Sequence, residues 1–262
     1  MPLLAFKLLM TPVFIGGVSW AGRRWGPAVS GLLMGLPLTS GPISVFLALQ
    51  HGPGFAARTA AGQMAGQASA CVFYAAYGLG ARRLSWPRCA VLSLLAFLAA
   101  TALLNCFPWG LAAAAALLLA AILAVARILP QRDVPPASGA APRWDLPGRM
   151  IAATLFLLGL TACSRALGPQ LSGLLSPFPI YGVVLAAFAH HNQGAEAAAQ
   201  LVRGNALGSV AFVAFFLVTG FALGHLPLAA TYLLAAVAAL AAHTPVLLAS
   251  RPGANLPPSA QA

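Results

Sequence analysis

The side chains that could do chemistry in this sequence are amides, hydroxyls and an arginine placed inside long apolar runs. Gln63 and Asn205 each follow a glycine directly, and Arg203 lies two residues before Asn205. Amides and hydroxyls both donate and accept hydrogen bonds, and the planar fork of an arginine suits a carboxylate or a phosphate. These residue types favour binding of a small polar or anionic solute over bond-breaking chemistry.

Carboxylates, which most acid–base and metal chemistry needs, are almost absent. The chain has three, of which Asp133 and Asp145 lie in a predicted loop and Glu196 at a predicted helix start. It contains no H-E-x-x-H, G-x-S-x-G or Walker A motif, and its four cysteines form no C-x-x-C pair. We therefore expect no enzyme, no metal and no cofactor, and keep a membrane enzyme only as a third alternative.

The composition is typical of a membrane protein. Of the 262 residues, 60% are hydrophobic and 6% are charged, whereas a soluble domain is about 25% charged. A helix of about 20 residues crosses the hydrocarbon core of a bilayer. The apolar runs of suitable length are 4–22, 27–50, 57–80, 88–105, 108–128, 149–166, 169–191, 196–223 and 226–249. We predict an all-α polytopic membrane helix bundle with about nine transmembrane helices.

The formal charge of +11 indicates orientation in a membrane rather than nucleic-acid binding, because the basic residues flank the apolar runs. With nine helices, one side receives nine arginines, and the other receives Lys7, Arg58 and Arg165. Cytoplasmic loops carry the excess of Lys and Arg. The prediction is a multi-pass protein of the inner membrane, with its N-terminus outside and its C-terminus in the cytoplasm.

The sequence divides into two related halves. The predicted divisions are a first membrane half at 1–128, a Pro-rich cytoplasmic loop at 129–147, a second membrane half at 148–249 and a disordered tail at 250–262. At a shift of 142 residues the halves align without a gap. The matched pairs include Arg23 with Arg165, Gly26-Pro27 with Gly168-Pro169, Ser30-Gly31 with Ser172-Gly173, Pro37 with Pro179, Gly52 with Gly194, Gly62 with Gly204, and Gly66 with Gly208.

This alignment pairs helix one with helix six, so the second half crosses the membrane in the opposite sense and helix five has no mate. Inverted repeats are typical of secondary transporters, whose substrate site lies near the midplane, often between helices that Gly or Pro interrupts. The second and seventh runs are interrupted in this way at Gly35–Pro42 and Ser176–Gly182. We predict that these segments form the site.

The predicted substrate-binding residues lie in these segments or on the neighbouring helices. They are Pro37, Thr39, Ser40, Gln63, Pro177, Pro179, Tyr181, Arg203 and Asn205. The alternative is structural. The prolines then only kink the bundle, the amides join helices, and Arg203 extends to the headgroups or leans toward Glu196 and Gln200.

Two G-x-x-x-G motifs occur at matching positions, Gly62 with Gly66 in the third run and Gly204 with Gly208 in the eighth. Small residues at this spacing let helix backbones approach closely. The motifs predict that the third and eighth helices pack on each other across the pseudo-twofold axis.

The segment from Ser172 to Pro179, with the later Gly194, resembles the core of GlpM-like small bacterial membrane proteins, which have Gly-Leu, then Phe-Pro, then a Gly-ended helix. A looser copy runs from Ser30 to Gly52, with Leu36 in place of Phe. The chain thus resembles two such units fused in opposite orientations. The resemblance implies a bacterial membrane protein and a link to exopolysaccharide production.

The leading prediction is an inner-membrane secondary transporter that moves a small solute by alternating access, an anionic one if Arg203 binds it. Its partners are the lipid bilayer and the solute, with no nucleic acid, and a homo-oligomer or an envelope protein partner is left open. The alternative is a non-transporting accessory subunit of an envelope or exopolysaccharide biosynthesis system.

Overall fold

The computed structural model describes residues 2–135, 144–159 and 179–250, and within these ranges the secondary structure is helical, with no strand. The all-α prediction is therefore confirmed for this part of the chain. The helices are α1 Pro2–Trp25, α2 Pro27–Met34, α3 Ser40–His51, α4 Pro53–Gly80, α5 Trp86–Asn105, α6 Leu111–Ile128, α7 over 145–159, α8 Ile180–Gln193, α9 Ala195–Gly208, α10 Val210–Ala222 and α11 Leu228–Ala249.

Four described helical stretches are long and apolar enough to cross a membrane. They are α5, α6, α11 and the 28-residue stretch Ala195–Ala222, which comprises α9 and α10. Large apolar side chains on the outside of the bundle, such as Leu95 and Leu103 on α5 and Leu233 and Leu240 on α11, are more than half exposed. Such a surface is compatible with lipid. The count of nine spans stays a prediction.

The second apolar run forms two helices rather than one. Helix α2 ends at Met34 and α3 begins at Ser40, so the predicted interruption at Gly35–Pro42 is present. Pro37 has no N–H for a helical hydrogen bond, whereas Pro42 lies in the first turn of α3, where no such bond is lost. The other predicted interruption, Ser176–Gly182, is described only from Pro179, directly before α8 begins.

Three glycines with positive φ turn the chain between consecutive helices. Gly26 precedes α2 with φ of 93°, Gly52 joins α3 to α4 with φ of 88°, and Gly194 joins α8 to α9 with φ of 92°. Only glycine adopts such angles without steric cost. Gly52 and Gly194 also have similar ψ, 160° and 178°, so the two junctions have nearly the same backbone shape.

Helix α4 lies at the centre of the bundle and packs against α3, α5, α6, α9 and α10. Its side chains Met64, Phe73 and Tyr77 are fully buried. At 28 residues it is about 42 Å long, at 1.5 Å per residue. This length exceeds the roughly 30 Å of a bilayer's hydrocarbon core.

The closest helix contact joins α2 to α9. A Cβ placed on Gly31, Gly204 or Gly208 would collide with backbone atoms of the facing helix. The motifs predicted that the third and eighth helices, α4 and α9, pack on each other, but Gly204 and Gly208 face α2. Gly62 is exposed and has nothing within 4 Å of an added Cβ, since its face of α4 borders a cavity. Helices α4 and α9 do pack on each other, but not through Gly62.

The loop between the halves is shorter than predicted at its second end. Residues 145–147, which belonged to the predicted loop at 129–147, form the first turn of α7. An aspartate at this place is favourable, because the N-terminus of a helix carries partial positive charge. Residues 136–143 and 251–262, which include most of the predicted tail, lie outside the described part.

Candidate solute site

A cavity of about 150 Å³ lies where α3 and α8 begin. It brings together residues that are far apart in the sequence. Six of the nine predicted substrate-binding residues line it, namely Thr39, Ser40, Gln63, Pro179, Tyr181 and Asn205. The first interrupted segment, the start of α8 and both amide-bearing helices therefore meet at one cavity.

The other three predicted residues are placed differently. Pro37 lines a separate apolar cavity of about 460 Å³ beside α10 and α11. Arg203 is directed to the end of α6, where its Nε donates to the carbonyl oxygen of Leu129 at 2.8 Å. Pro177 lies outside the described residues. The arginine that suggested an anionic solute is thus not among the residues that line the cavity.

Sequence reasoning missed two polar residues of α4 that line the cavity, Gln67 and Tyr74. Together with Gln63 and Ala70 they recur at intervals of four, three and four residues, which places them on one face of a helix. The signal was therefore present in the sequence. Tyr181 also has a partner that no spacing could indicate, because its hydroxyl lies 3.0 Å from Oγ1 of Thr11 in α1.

The cavity is at mid-length of the two longest helical stretches. Gln67 is the fifteenth of the 28 residues of α4, and Ser209 is the fifteenth of the 28 residues from Ala195 to Ala222. Nε2 of Gln67 donates to Oγ of Ser209 at 2.8 Å, so the two stretches touch at their midpoints. Gln67 itself lines the cavity.

Two helix N-termini contribute their first turns to the cavity wall. Thr39 and Ser40 begin α3, and Pro179 to Gly182 begin α8. Neither helix start has a side-chain capping hydrogen bond. The first N–H groups of a helix have no intrahelical partner, and they carry the positive end of its dipole, roughly half a charge. The start of α8 therefore supplies the cavity with backbone donors, whereas in the first turn of α3 the N–H of Gly41 already donates to the carbonyl oxygen of Pro37 and Pro42 has no N–H.

No charged residue of the described ranges lines this cavity. Its polar side chains are amides and hydroxyls, and one of them is deeply buried. Asn205 is 2% exposed, and its Oδ1 has no hydrogen-bond partner among the described residues. Tyr74 lies beside both Gln67 and Asn205.

A second, wider cavity of about 390 Å³ adjoins the first. It lies between the first half of α4 and the turn from α5 to α6, where Asn105 and Trp109 line it. Arg58 stands at this cavity with an exposed side chain. Gln63 lines both cavities, so one amide side chain stands between them.

The opposite end of the bundle holds a buried carboxylate. Asp145 is 2% exposed, and its oxygens lie 2.9 Å from a nitrogen of Arg23, 3.2 Å from Nε of Arg149 and 2.6 Å from Nδ2 of Asn192. This group, which we call the Asp145 cluster, joins α1, α7 and α8. Four residues after Asn192, Glu196 at the start of α9 forms ion pairs with Arg82 and Arg132.

Among the described residues, no three His, Cys, Asp or Glu side chains lie close enough together to hold a metal ion. A comparison of the chain with protein-family models, with curated proteins and with solved structures finds no match.

Proposed function

We propose that this protein is a multi-pass carrier of the inner membrane that moves a small solute with an anionic group by alternating access. The observation that carries this proposal is the meeting of two half-helices, α3 and α8, whose uncapped N-termini line one cavity at mid-length of the bundle. Helix N-termini of this kind bind anionic groups in transporters with interrupted helices.

The size of the cavity limits the solute. A cavity of about 150 Å³ is similar in volume to one that accepts benzene. A carboxylic acid with a short carbon chain fits this volume. The positive end of the α8 dipole, in a described lining without charged side chains, favours an anionic group over a cation.

Three observations support two inverted repeats. Helix α4 spans 53–80 and the stretch α9–α10 spans 195–222, a shift of 142 residues at both ends. Gly52 and Gly194 share this shift and their backbone conformation. Gln67 and Ser209, also 142 residues apart, contact each other, as equivalent residues do when they lie on a twofold axis.

The proposed orientation gives the two ends different roles. The Asp145 cluster lies on the cytoplasmic side, where its ion pairs hold α1, α7 and α8 together and close that end. The wide cavity with Arg58 faces the outside. In this conformation a solute enters past Gln63, and release to the cytoplasm requires the Asp145 cluster to separate.

The proposal is tested with the purified protein in detergent and in proteoliposomes. Small carboxylates, inorganic phosphate and matched neutral amides are compared by the shift in Tm and then by uptake of the labelled compound. A ligand at about 100 times its Kd adds roughly 2.7 kcal/mol to stability. We expect a shift with at least one small carboxylate and not with its amide, and saturable uptake of that carboxylate.

A cavity-filling variant separates this site from other binding. Ser40→Leu places a larger apolar side chain in the cavity, whereas Thr244→Leu adds one at an exposed position of α11. The first should abolish both the shift and the uptake, and the second should leave them unchanged. If no small anion shifts Tm or enters the liposomes, the carrier proposal is wrong, and an accessory membrane subunit becomes the better explanation.

A further inference from the structure

The cavity presents two kinds of hydrogen-bonding groups on different elements. The start of α8 offers backbone donors, whereas Asn205 of α9 holds an acceptor, Oδ1, without a partner among the described residues. A buried acceptor that lacks a donor is unfavourable, because it has lost water without gaining a replacement. A ligand that supplies only an anionic group satisfies the first set and leaves Asn205 unsatisfied.

From this pairing we infer that the solute is a small carboxylic acid that also carries a hydrogen-bond donor, either a hydroxyl or an ammonium group. This inference rests on the proposed carrier function and narrows its substrate class. The carboxylate lies at the start of α8, where the first N–H groups of the helix donate to it. The hydroxyl or ammonium donates to Oδ1 of Asn205.

The neighbours of Asn205 suit the donor end of such a molecule. Gln63, Gln67 and Tyr74 line the same cavity, and none carries a charge. Their amide and hydroxyl oxygens can accept hydrogen bonds from a hydroxyl or an ammonium group. No side chain in the described lining is a carboxylate, so nothing there favours an isolated cation over a molecule that brings its own negative charge.

The volume of the cavity limits the solute to a short carbon chain that carries both functional groups. A cavity of about 150 Å³ accommodates a ligand of about the size of benzene. A three-carbon acid with one substituent on its second carbon has a similar number of non-hydrogen atoms. Propionate, its 2-hydroxy derivative lactate and its 2-amino derivative alanine therefore form a series that differs at the second carbon, where alanine also adds a positive charge.

The test measures the Kd of propionate, lactate and alanine for the purified wild-type protein. A site built to hydrogen-bond a hydroxyl or amine rejects the analogue that lacks it by a large factor, because its polar group is then left unpaired. We expect at least one of lactate and alanine to bind at least tenfold more tightly than propionate. Equal binding of all three would overturn the inference, since water would then satisfy Asn205.

Two variants on the same helix locate the effect. Asn205→Leu removes the acceptor and keeps the number of non-hydrogen side-chain atoms, and Gln200→Leu removes an amide at a residue that is also 2% exposed but does not line the cavity. We expect Asn205→Leu to lose the tenfold preference over propionate. Gln200→Leu should keep that preference.

The outcomes distinguish this inference from the function on which it rests. A preference that survives in Asn205→Leu overturns the role of Asn205. Failure of all three acids to bind the folded wild type overturns the carrier of small carboxylates, and the inference falls with it. If Asn205→Leu does not fold, the wild-type series still decides, because equal affinities contradict the inference without any variant.

Discussion

At the scale of single residues, the Asp145 cluster is the most deeply buried group of charges in the described part of the chain. Asp145 and Arg149 are nearly inaccessible to solvent, and Arg23 and Asn192 complete the contacts. The sequence predicts a loop at Asp145. It cannot predict the burial of this residue, because its partners Arg23 and Asn192 come from other helices. A contact between residues 47 or 122 positions apart has no local signal.

Asp145→Asn should therefore destabilise the protein strongly. Removing one partner of a buried ion pair typically costs about 3–5 kcal/mol, because the remaining charges are left without compensation. Unfolding in detergent, followed by loss of helical circular dichroism, measures the change. Asp133→Asn is the control, since Asp133 is exposed. Equal stability of the two variants would contradict the buried cluster.

Arg203 gives a second prediction at this scale, and one that departs from the sequence analysis. Its Nε donates to the carbonyl oxygen of Leu129, and it does not line the solute cavity. Arg203→Ala should lower stability by about 1.5 kcal/mol, the low end for a hydrogen bond from a charged group. The Kd of the solute should stay within twofold of the wild-type value in a binding titration. A loss of solute binding without a loss of stability would contradict this prediction and indicate that Arg203 binds the solute.

At the scale of helices, the first interrupted segment was predictable from the sequence, whereas the helix that the Gly204 motif contacts was not. Gly and Pro act on their own backbone, so the break between Met34 and Ser40 follows from local sequence. A G-x-x-x-G motif indicates that its helix makes a close contact, but it does not indicate which helix is the partner. The partner of Gly204 depends on the packing of the whole bundle, and it is α2.

The two G-x-x-x-G motifs should consequently respond in opposite ways to an added methyl group. Gly204→Ala collides with the backbone of α2, and such overpacking costs typically about 1–3 kcal/mol. Gly62→Ala meets open space and should be neutral or stabilise α4 by up to about 1 kcal/mol, the difference in helix propensity. Thermal unfolding of both variants checks the pair. Equal destabilisation would mean that Gly62 is also at a helix contact.

At the scale of the whole molecule, the position of one exposed arginine suggests how an anionic solute reaches the site. Arg58 is exposed at the wide cavity, and Gln63 stands between that cavity and the solute cavity. A cation at the mouth of a cleft raises the local concentration of anions. This role was not predicted for Arg58, because the sequence showed only that it lies near a helix start.

Arg58→Gln should raise the KM for uptake of an anionic solute added outside the liposomes, by severalfold at low salt, and should leave kcat nearly unchanged. The difference from wild type should shrink as the ionic strength rises, because salt screens exposed charges. Arg88→Gln serves as the control, since Arg88 is an exposed arginine of α5 that is far from this cavity. A KM unaffected by Arg58→Gln at any salt concentration would contradict entry at this face.

The contact between Gln67 and Ser209 has a consequence for the history of the chain. If the proposed repeats descend from one duplicated unit, the ancestor was an antiparallel dimer in which this position faced its own copy. Only a residue that can both donate and accept could pair with itself there, and Gln and Ser both qualify. Fusion freed the two copies to diverge, and one became the donor and the other the acceptor. Exchanging them, as Gln67→Ser with Ser209→Gln, should preserve the pairing with its direction reversed.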